Sequence, residues 1–226
     1  MTNPKIAVLA SGSGSTVEAF IHATQAGKVS AEVVLVICNN PPEKAGVYDR
    51  IERLNQQYGL SIEMVEMNGR IYPDPDGQTG RGQTLSESEA IYNKVIQAGC
   101  GHVALMGYMK VVRGKLVEQF GWRSSMASIY EARMSNTHPG PLPETSDTFG
   151  IHTSEKVLEL GLSASKHTVH LVAEGIDTGP IIAEHIVEVL PGDTAETLFA
   201  RAQSVEKESL PIAINNFLRE QAEYFS

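Results

Sequence analysis

Short apolar runs alternate with amphipathic segments along the first half of the chain, and this alternation constrains the fold more than any other feature. The run KIAVLA (5–10) precedes an amphipathic stretch at 16–28, and the run AEVVLVICNN (31–40) precedes a helical pattern at 43–58. Neighbouring parallel strands need a long crossover between them, and that crossover is usually a helix. The pattern therefore predicts an α/β fold in which right-handed crossovers connect a parallel sheet.

Periodicity predicts further elements in the rest of the chain. The predicted strands are SIEMVEM (61–67), HVALMG (102–107), HTVHLV (167–172) and IIAEHIVEV (181–189). The predicted helices cover 89–98, 112–120, 153–160 and 194–219, the last of them broken or kinked at Pro211. Residues 68–88 are rich in Gly, Pro, Asp, Gln and Ser, and they are long for a structureless connection in a compact domain. We interpret this segment as a mobile lid or an insertion.

Composition narrows the class of partner. The net charge of −9, without a clustered basic stripe, argues against a nucleic-acid partner. It leaves room for a phosphorylated small substrate, because backbone amides bind phosphate without net positive charge. Apolar runs such as 33–37 are too short to span a bilayer, and the N-terminus is a poor secretory signal. Cys38 and Cys100 suggest neither a disulfide framework nor a zinc site, so we expect a cytoplasmic protein with no membrane partner.

The loop SGSGST (11–16) lies between the first predicted strand and the first predicted helix. Small residues there allow backbone N–H groups to surround an anion at the helix N-terminus. The hydroxyls of Ser15 and Thr16 also suit helix N-capping, which is the alternative interpretation. No Gly-Lys-Ser/Thr follows, and Val17 occupies the third glycine position of a dinucleotide fingerprint. The loop therefore favours a phosphate monoester over a dinucleotide.

The stretch SNTHPGPLP (135–143) predicts a strand that ends at His138, because the prolines after it cannot donate ladder hydrogen bonds. A two-residue period would direct the side chains of Asn136 and His138 to the same face of the strand. A carboxamide and an imidazole would then stand together at a rigid strand end. The alternative interpretation is a turn in which the histidine has no role.

Asp177 lies in a glycine-flanked loop, AEGIDTGPII (173–182), between two predicted strands. A carboxylate beside an imidazole stabilises the imidazolium and holds its orientation, although an aspartate in a turn is the simpler interpretation. His138, His152, His167 and His170 raise the question of a metal. No pair of them has the helical i, i+4 spacing, and His167 and His170 would point to opposite faces of one strand, so we expect no metal site. The absence of a GxSxG sequence argues against a serine nucleophile.

Taken together, these motifs resemble the phosphoribosylglycinamide formyltransferase family of purine biosynthesis. The resemblance runs from Lys5 to about Leu218 and rests on the order SGSGS, GYMK, NTHPGPLP, GIHT, TVHLV and IDTGPII. It implies transfer of a formyl group from the co-substrate 10-formyltetrahydrofolate to the amine of glycinamide ribonucleotide, without a metal. It also implies a Rossmann-like, doubly wound α/β fold with a mostly parallel sheet, helices on both faces and mixed strands in the C-terminal part.

The resemblance further implies roles for individual residues. The expected catalytic residues are Asn136, His138 and Asp177. The expected residues around the ribonucleotide are Gly14, Ser15, Thr16, Thr137, Pro139 and Glu206, with Thr16 where the family usually has Asn. The expected folate-binding residues are Met109, Lys110 and Val112. We expect one formyltransferase domain over 1–226, with a phosphate-binding half at 1–110 and a catalytic, folate-binding half at 111–226.

Several departures from the family pattern lie on the folate side. The segments 68–88, 121–135 and 144–150 are expanded, Glu89 stands where a folate-contacting Arg is common, and Lys166-His167 replaces small residues. Hydrolysis of 10-formyltetrahydrofolate, or formylation of another amine such as an amino sugar nucleotide, therefore remains an alternative. Formylation of methionyl-tRNA suits this charge balance poorly, and a non-catalytic binding protein would have no use for the three polar residues. We expect a monomer or a homodimer.

Overall fold

The computed structural model describes residues 3–75, 82–146 and 148–226. Within them, seven strands form one sheet in the order β3-β2-β1-β4-β5-β6-β7. The strands are β1 (Lys5–Ala10), β2 (Glu32–Cys38), β3 (Glu63–Glu66), β4 (His102–Leu105), β5 (Met134–His138), β6 (Ala164–Leu171) and β7 (Ile181–Glu188). Strands β1 to β5 pair in parallel, whereas β6 and β7 are antiparallel additions at one edge. The predicted mostly parallel sheet with mixed C-terminal strands is confirmed.

Helices cover both faces of the sheet. They are α1 (Ser15–Gln25), α2 (Val47–Tyr58), α3 (Leu85–Gln97), α4 (Gly114–Phe120), α5 (Ile151–Glu159) and α6 (Ala195–Tyr224). Successive side chains of β1 point to opposite faces of the sheet, and both faces are buried. Ile6 and Val8 belong to one buried cluster, and Ala7 and Leu9 belong to the other. The first cluster receives Phe20 of α1, whereas α3 and α4 pack on the second. The doubly wound architecture follows from strands that are apolar on both faces.

Two predicted helix boundaries are wrong. The helix expected from 89 begins at Leu85, because Thr84 and Glu87 form a reciprocal capping box that starts it earlier. Helix α6 is continuous through Pro211 and ends at Tyr224, so the predicted break there and the predicted end at 219 are wrong, whereas a kink at Pro211 stays a prediction. Pro211 is buried in a run of core residues on both sides, and this packing stabilises the helix against the loss of one backbone hydrogen bond.

The segment interpreted as a lid is anchored at its described ends, while residues 76–81 lie outside the described part of the chain. The Asn68 side chain accepts hydrogen bonds from the backbone N–H groups of Arg70 and Ile71. The Asp74 carboxylate accepts from the N–H groups of Leu85 and Ser86 in the first turn of α3. Asp74 thus satisfies two helix N–H groups that have no partner within the helix. The lid interpretation stays a prediction.

Among the described residues, no helix combines the length and the apolar character that crossing a bilayer requires. The expansion at 121–135 contains a short 3₁₀ turn, Ile129–Glu131, which Ser128 caps. Tyr130 in that turn packs against Phe217 of α6 with 5.7 Å between ring centroids. The extra residues therefore form a small apolar cluster under the C-terminal helix.

Candidate active site

A cavity of about 440 Å³ opens at the carboxyl ends of β1, β4 and β5. The sheet order reverses between β1 and β4, and ligands of open α/β sheets bind at such switch points. Every residue to which the sequence analysis assigned a catalytic, ribonucleotide-binding or folate-binding role lines this cavity. Residues that are up to 192 positions apart, such as Gly14 and Glu206, thus meet at one place.

The Gly/Ser loop forms one wall of the cavity. Gly14 is the N-cap of α1 and has a φ of 76°, in the left-handed region that glycine tolerates. A side chain there would also place its Cβ 2.6 Å from the Cγ2 atom of Val47. The N-cap position makes no side-chain hydrogen bond, so the alternative interpretation of Ser15 or Thr16 as the helix cap is wrong. The N–H groups of the first turn of α1 have no partner within the helix, and Gly14, Ser15 and Thr16 line the cavity, so this helix end suits an anion.

Asn136 and His138 lie on the last strand positions before the prolines, and both contact Asp177. The Nδ1 atom of His138 is 3.3 Å from Oδ2 of Asp177. The Nδ2 atom of Asn136 donates to Oδ1 of the same carboxylate at 3.2 Å. The interpretation of this stretch as a turn is wrong, because Asn136 and His138 are both within β5. Because the two side chains lie on the same face of β5, as expected, both reach the same carboxylate.

The loop after β6 presents Asp177 in an unusual backbone conformation. Asp177 has a φ of 51°, and it is the one non-glycine residue with positive φ in the described part of the chain. Aspartate tolerates this region better than most residues, and such outliers cluster at functional sites. Gly179 permits the tight return, because a Cβ at that position would lie 1.8 Å from the Leu171 carbonyl oxygen. The Asp-x-Gly sequence is therefore a steric requirement of the loop.

His170 is a member of this cluster that the sequence analysis did not assign to it. It is the register partner of Asn136 on the antiparallel neighbour β6. Its Nε2 atom lies 3.1 Å from Nδ2 of Asn136 and 3.3 Å from Oδ1 of Asp177. Its Nδ1 atom donates to the Leu171 carbonyl oxygen, which can only accept. The two-residue period of TVHLV could have placed His170 on the same face as Asn136, but only with knowledge that β5 pairs with β6.

The environment of Asp177 favours its ionised form. Burial alone would raise the pKa of this carboxyl group. Hydrogen bonds and charge from His138 and His170 outweigh burial and hold the pKa well below its usual range. Asp177 is therefore a carboxylate that accepts from the Asn136 carboxamide and faces the imidazoles of His138 and His170.

Thr145 holds the other nitrogen of His138, and it lies in the expanded segment 144–150. Its Oγ1 atom is 2.9 Å from Nε2 of His138 and 2.7 Å from the Pro141 carbonyl oxygen. The carbonyl can only accept, so the hydroxyl proton goes to Pro141 and His138 must donate Nε2–H to Thr145. Gly140 makes room for this contact, since a Cβ there would lie 2.5 Å from the Thr145 hydroxyl oxygen. The Nδ1 atom of His138 is then the one that faces Asp177.

On the α6 side of the cavity, Thr137 lies between two polar groups. Its hydroxyl oxygen is 3.1 Å from a Glu206 carboxyl oxygen and 2.6 Å from Nε2 of His167. Glu206 lines the cavity together with Thr16 in the first turn of α1. His167 and His170 thus project from opposite faces of β6, as the strand period predicts. Pro139 lines the same cavity directly after the strand.

The segment after β4 forms the opposite wall. The Lys110 ammonium pairs with the fully buried Glu87 carboxylate, which directs this side chain away from solvent. The Met109 backbone N–H donates to the hydroxyl of Ser11 at 2.8 Å, so it is already engaged. Val112 is buried and adds apolar surface. Glu89, by contrast, lies on the exposed face of α3, where its carboxylate pairs with Lys115 at 3.1 Å.

Among the described residues, no three His, Cys, Asp or Glu side chains are grouped so as to hold a metal ion. The cluster around Asp177 contains two imidazoles and one carboxylate, but the histidine nitrogens that face Asp177 point at its oxygens. What this cluster offers is hydrogen-bond donors and a fixed negative charge.

Comparison with known proteins places residues 4–214 within the formyl transferase family. The chain is 31% identical over 210 residues to the trifunctional purine biosynthetic protein adenosine-3 of Gallus gallus. That match covers 93% of this chain and 18% of the trifunctional protein. It is 28% identical over 214 residues to the phosphoribosylglycinamide formyltransferase of Bacillus subtilis, with 95% of this chain and 94% of that protein covered.

Solved structures give the same result. The chain is similar to glycinamide ribonucleotide transformylase 1 from Symbiobacterium toebii, with a TM-score of 0.78 and 29% identity. That match covers 96% of this chain and 88% of the solved one. The chain spans less than a fifth of the length of the trifunctional relatives and nearly all of the length of the bacterial enzyme.

Proposed function

Because this chain belongs to the formyl transferase family, we propose that it transfers a formyl group from 10-formyltetrahydrofolate to the amine of glycinamide ribonucleotide. The reaction belongs to de novo purine biosynthesis and uses the folate as a co-substrate. In this proposal residues 1–226 act as one domain, with the phosphate contacts in 1–110 and the catalytic and folate contacts mainly in 111–226.

One observation carries the proposal. The Asn136, His138 and Asp177 side chains meet at the wall of a cavity that also contains a glycine loop at a helix N-terminus. A carboxamide and an imidazole paired with a carboxylate suit a reaction in which charge develops on an oxygen and a proton moves. The glycine loop suits a phosphate. Formyl transfer to the amine of a ribonucleotide needs both features in one site.

Asn136 is the proposed direct donor to the developing oxyanion. When an amine attacks the formyl carbon, negative charge develops on the formyl oxygen, and a fixed N–H donor stabilises it. The protonation of His170 controls whether an Asn136 N–H is available to the oxyanion. When Nε2 of His170 carries a proton, it donates that proton to Asp177, and the Asn136 hydrogen that otherwise bonds to Nε2 can bond to a group in the cavity.

His138 acts in this proposal mainly through charge. Its Nε2–H is donated to Thr145, and its Nδ1 faces the Asp177 carboxylate. A proton accepted at Nδ1 is stabilised by that carboxylate, and the resulting imidazolium stabilises the oxyanion beside it. Asp177 in turn helps to move the proton from the attacking amine to the departing folate nitrogen, through water.

The two substrates are assigned to opposite walls of the cavity. Gly14, Ser15 and Thr16 bind the phosphate, and Thr137, Pro139 and Glu206 lie beside the sugar. Met109, Lys110 and Val112 bind the folate, where the apolar side chains of Ile176 and Val172 also line the cavity. Flat heterocycles favour such a largely apolar wall with a few polar backbone groups.

A formyl-transfer assay with the purified chain tests the proposal. The chain is given 10-formyltetrahydrofolate with glycinamide ribonucleotide, with other amines including an amino sugar nucleotide, or with no amine. We expect turnover with glycinamide ribonucleotide, its loss in Asn136→Ala, and wild-type turnover in Asn93→Ala, which removes an exposed carboxamide from α3. Equal formate release without any amine would replace the proposal with hydrolysis, and turnover of another amine alone would replace the acceptor.

A further inference from the structure

The hydroxyl of Thr137 has more partners than it has protons. Its oxygen lies 2.6 Å from Nε2 of His167 and 3.1 Å from a carboxyl oxygen of Glu206. A hydroxyl has one hydrogen and can donate to only one of them. If His167 were neutral with a bare Nε2 and Glu206 were ionised, one of these two contacts would hold no proton.

Ser209 identifies which nitrogen of His167 carries hydrogen. The Ser209 hydroxyl oxygen lies 2.7 Å from the Val205 carbonyl oxygen, which can only accept, so the Ser209 proton is donated there. The Nδ1 atom of His167, 2.8 Å from the same hydroxyl oxygen, must therefore be the donor in that contact. A neutral His167 then has a bare Nε2, which takes the Thr137 proton. The remaining contact, between Thr137 and Glu206, needs a proton that only the carboxyl group can supply.

One other arrangement satisfies every contact, with the extra proton on Nε2 of His167 instead of on Glu206. The surroundings oppose it. Burial, with the neighbouring His185 and His138, lowers the pKa of His167 to about 3. Burial raises the pKa of Glu206 above its ordinary value and outweighs the charge of Lys207 on the same helix. The proton therefore belongs to the carboxyl group.

We propose that Glu206 is a neutral carboxylic acid in the substrate-free protein, and that His167 keeps it neutral by accepting the hydrogen bond that the Thr137 hydroxyl would otherwise donate to Glu206. His167 is thus a positioning residue that acts through Thr137. This role belongs to the Lys166-His167 pair that departs from the family pattern.

The consequence for substrate recognition rests on the proposed function. Glu206 lines the same cavity as Thr16, which lies in the first turn of α1 next to the proposed phosphate loop. A carboxylate in the same cavity would repel a phosphate dianion, because like charges in a partly buried site interact more strongly than in water. A neutral carboxyl group removes this repulsion and still offers an acceptor to sugar hydroxyls. The site is therefore adapted to a sugar phosphate bound as its dianion.

Infrared spectroscopy tests the protonation state without any substrate. We expect the C=O stretching band of a protonated carboxyl group in the substrate-free protein at pH 7, and its absence in Glu206→Gln. In His167→Leu the Thr137 proton is released to Glu206, so the same band should titrate away at a pH lower by about one unit or more. His22→Leu, which removes an exposed imidazole from α1, should leave the band unchanged. A wild-type spectrum without the band would overturn the proposal, and so would an unchanged midpoint in a folded His167→Leu.

Kinetics provide a second test through rescue. His167→Leu should raise the KM for glycinamide ribonucleotide about tenfold at pH 8 and little at pH 6, since only the ionised Glu206 repels phosphate. In the double variant His167→Leu with Glu206→Gln, the side chain at 206 cannot ionise, so the KM increase that His167→Leu causes between pH 6 and pH 8 should disappear. Persistence of that pH-dependent increase in the folded double variant would contradict the proposal. If the infrared band is present and no formyl transfer occurs, the proposed function fails and the protonation state stands.

Discussion

The Asp177 carboxylate lies 3.3 Å from Nδ1 of His138, although the two residues come from different strand ends of the sheet. Each oxygen of this carboxylate faces a different imidazole, because Nε2 of His170 lies 3.3 Å from the second oxygen. The left-handed conformation of Asp177 directs its side chain into this position. The Asp177 carboxylate therefore orients both imidazoles, and removing its charge is the most direct test of the proposed mechanism.

Asp177→Asn preserves shape and removes the charge that supports the His138 imidazolium. We expect kcat to fall on the order of 10²-fold or more, with the KM values for both substrates changed much less. Asp49→Asn, which changes an exposed carboxylate on α2, serves as the control for a lost negative charge. Steady-state kinetics on variants of matched thermal stability measure the effect. A folded Asp177→Asn with near-normal kcat would contradict the proposed mechanism.

The depressed pKa of Asp177 predicts a specific acid sensitivity. A carboxyl group whose pKa is lower in the folded than in the unfolded state stabilises the fold above its unfolded pKa of about 3.9. That contribution is lost as the pH falls through this value towards the folded pKa. Denaturant unfolding between pH 6 and pH 2.5 should therefore show a steeper loss of stability in the wild type than in Asp177→Asn. Parallel curves for the two proteins would argue against the buried ion-pair cluster.

Thr145→Val tests the hydrogen bond at Nε2 of His138 with little change in volume. Loss of the acceptor leaves a buried N–H without a partner, so we expect kcat to fall about 5- to 30-fold. The KM for glycinamide ribonucleotide should stay within about twofold, because Thr145 is not assigned to that substrate. Thr24→Val removes a similar hydroxyl bond to a backbone carbonyl on α1 and is the matched control. An unchanged kcat in Thr145→Val would show that the hydrogen bond between His138 and Thr145 does not contribute to catalysis.

Gly12→Ala is a cleaner probe of the phosphate loop than a substitution at Gly14. A methyl group at Gly12 meets no atom within 4 Å and enters the cavity, whereas one at Gly14 collides with Val47 and strains the backbone. We expect Gly12→Ala to raise the KM for glycinamide ribonucleotide about tenfold or more at unchanged stability. Gly101→Ala, where a methyl group also meets nothing, is the control. An unchanged KM would remove this loop from the substrate site.

Helices and strands with strong local patterns were predictable because their cause is local. The continuous apolar run KIAVLA predicts a strand that is apolar on both faces, and β1 contributes to both buried clusters. The prolines after His138 predict the end of β5, and the period of the strand predicts the shared face of Asn136 and His138. The start of α3 was missed because the capping box at Thr84 lies inside a segment whose composition indicates a loop.

The contacts that make the site were decided by the tertiary structure. The sequence by itself determined which residue types stand at strand ends and which faces they share, since these depend on a period of two residues. Only the pairing of β5 with β6 placed His170 against Asn136, and only the packing of α6 placed Glu206 against Thr137. The left-handed turn at Asp177 and the contact between Thr145 and His138 also depend on Gly179 and Gly140, where a side chain would collide with neighbouring atoms. The contacts of His170 and Glu206 join residues far apart in the chain, and no local pattern encodes the strand register and helix packing that determine them.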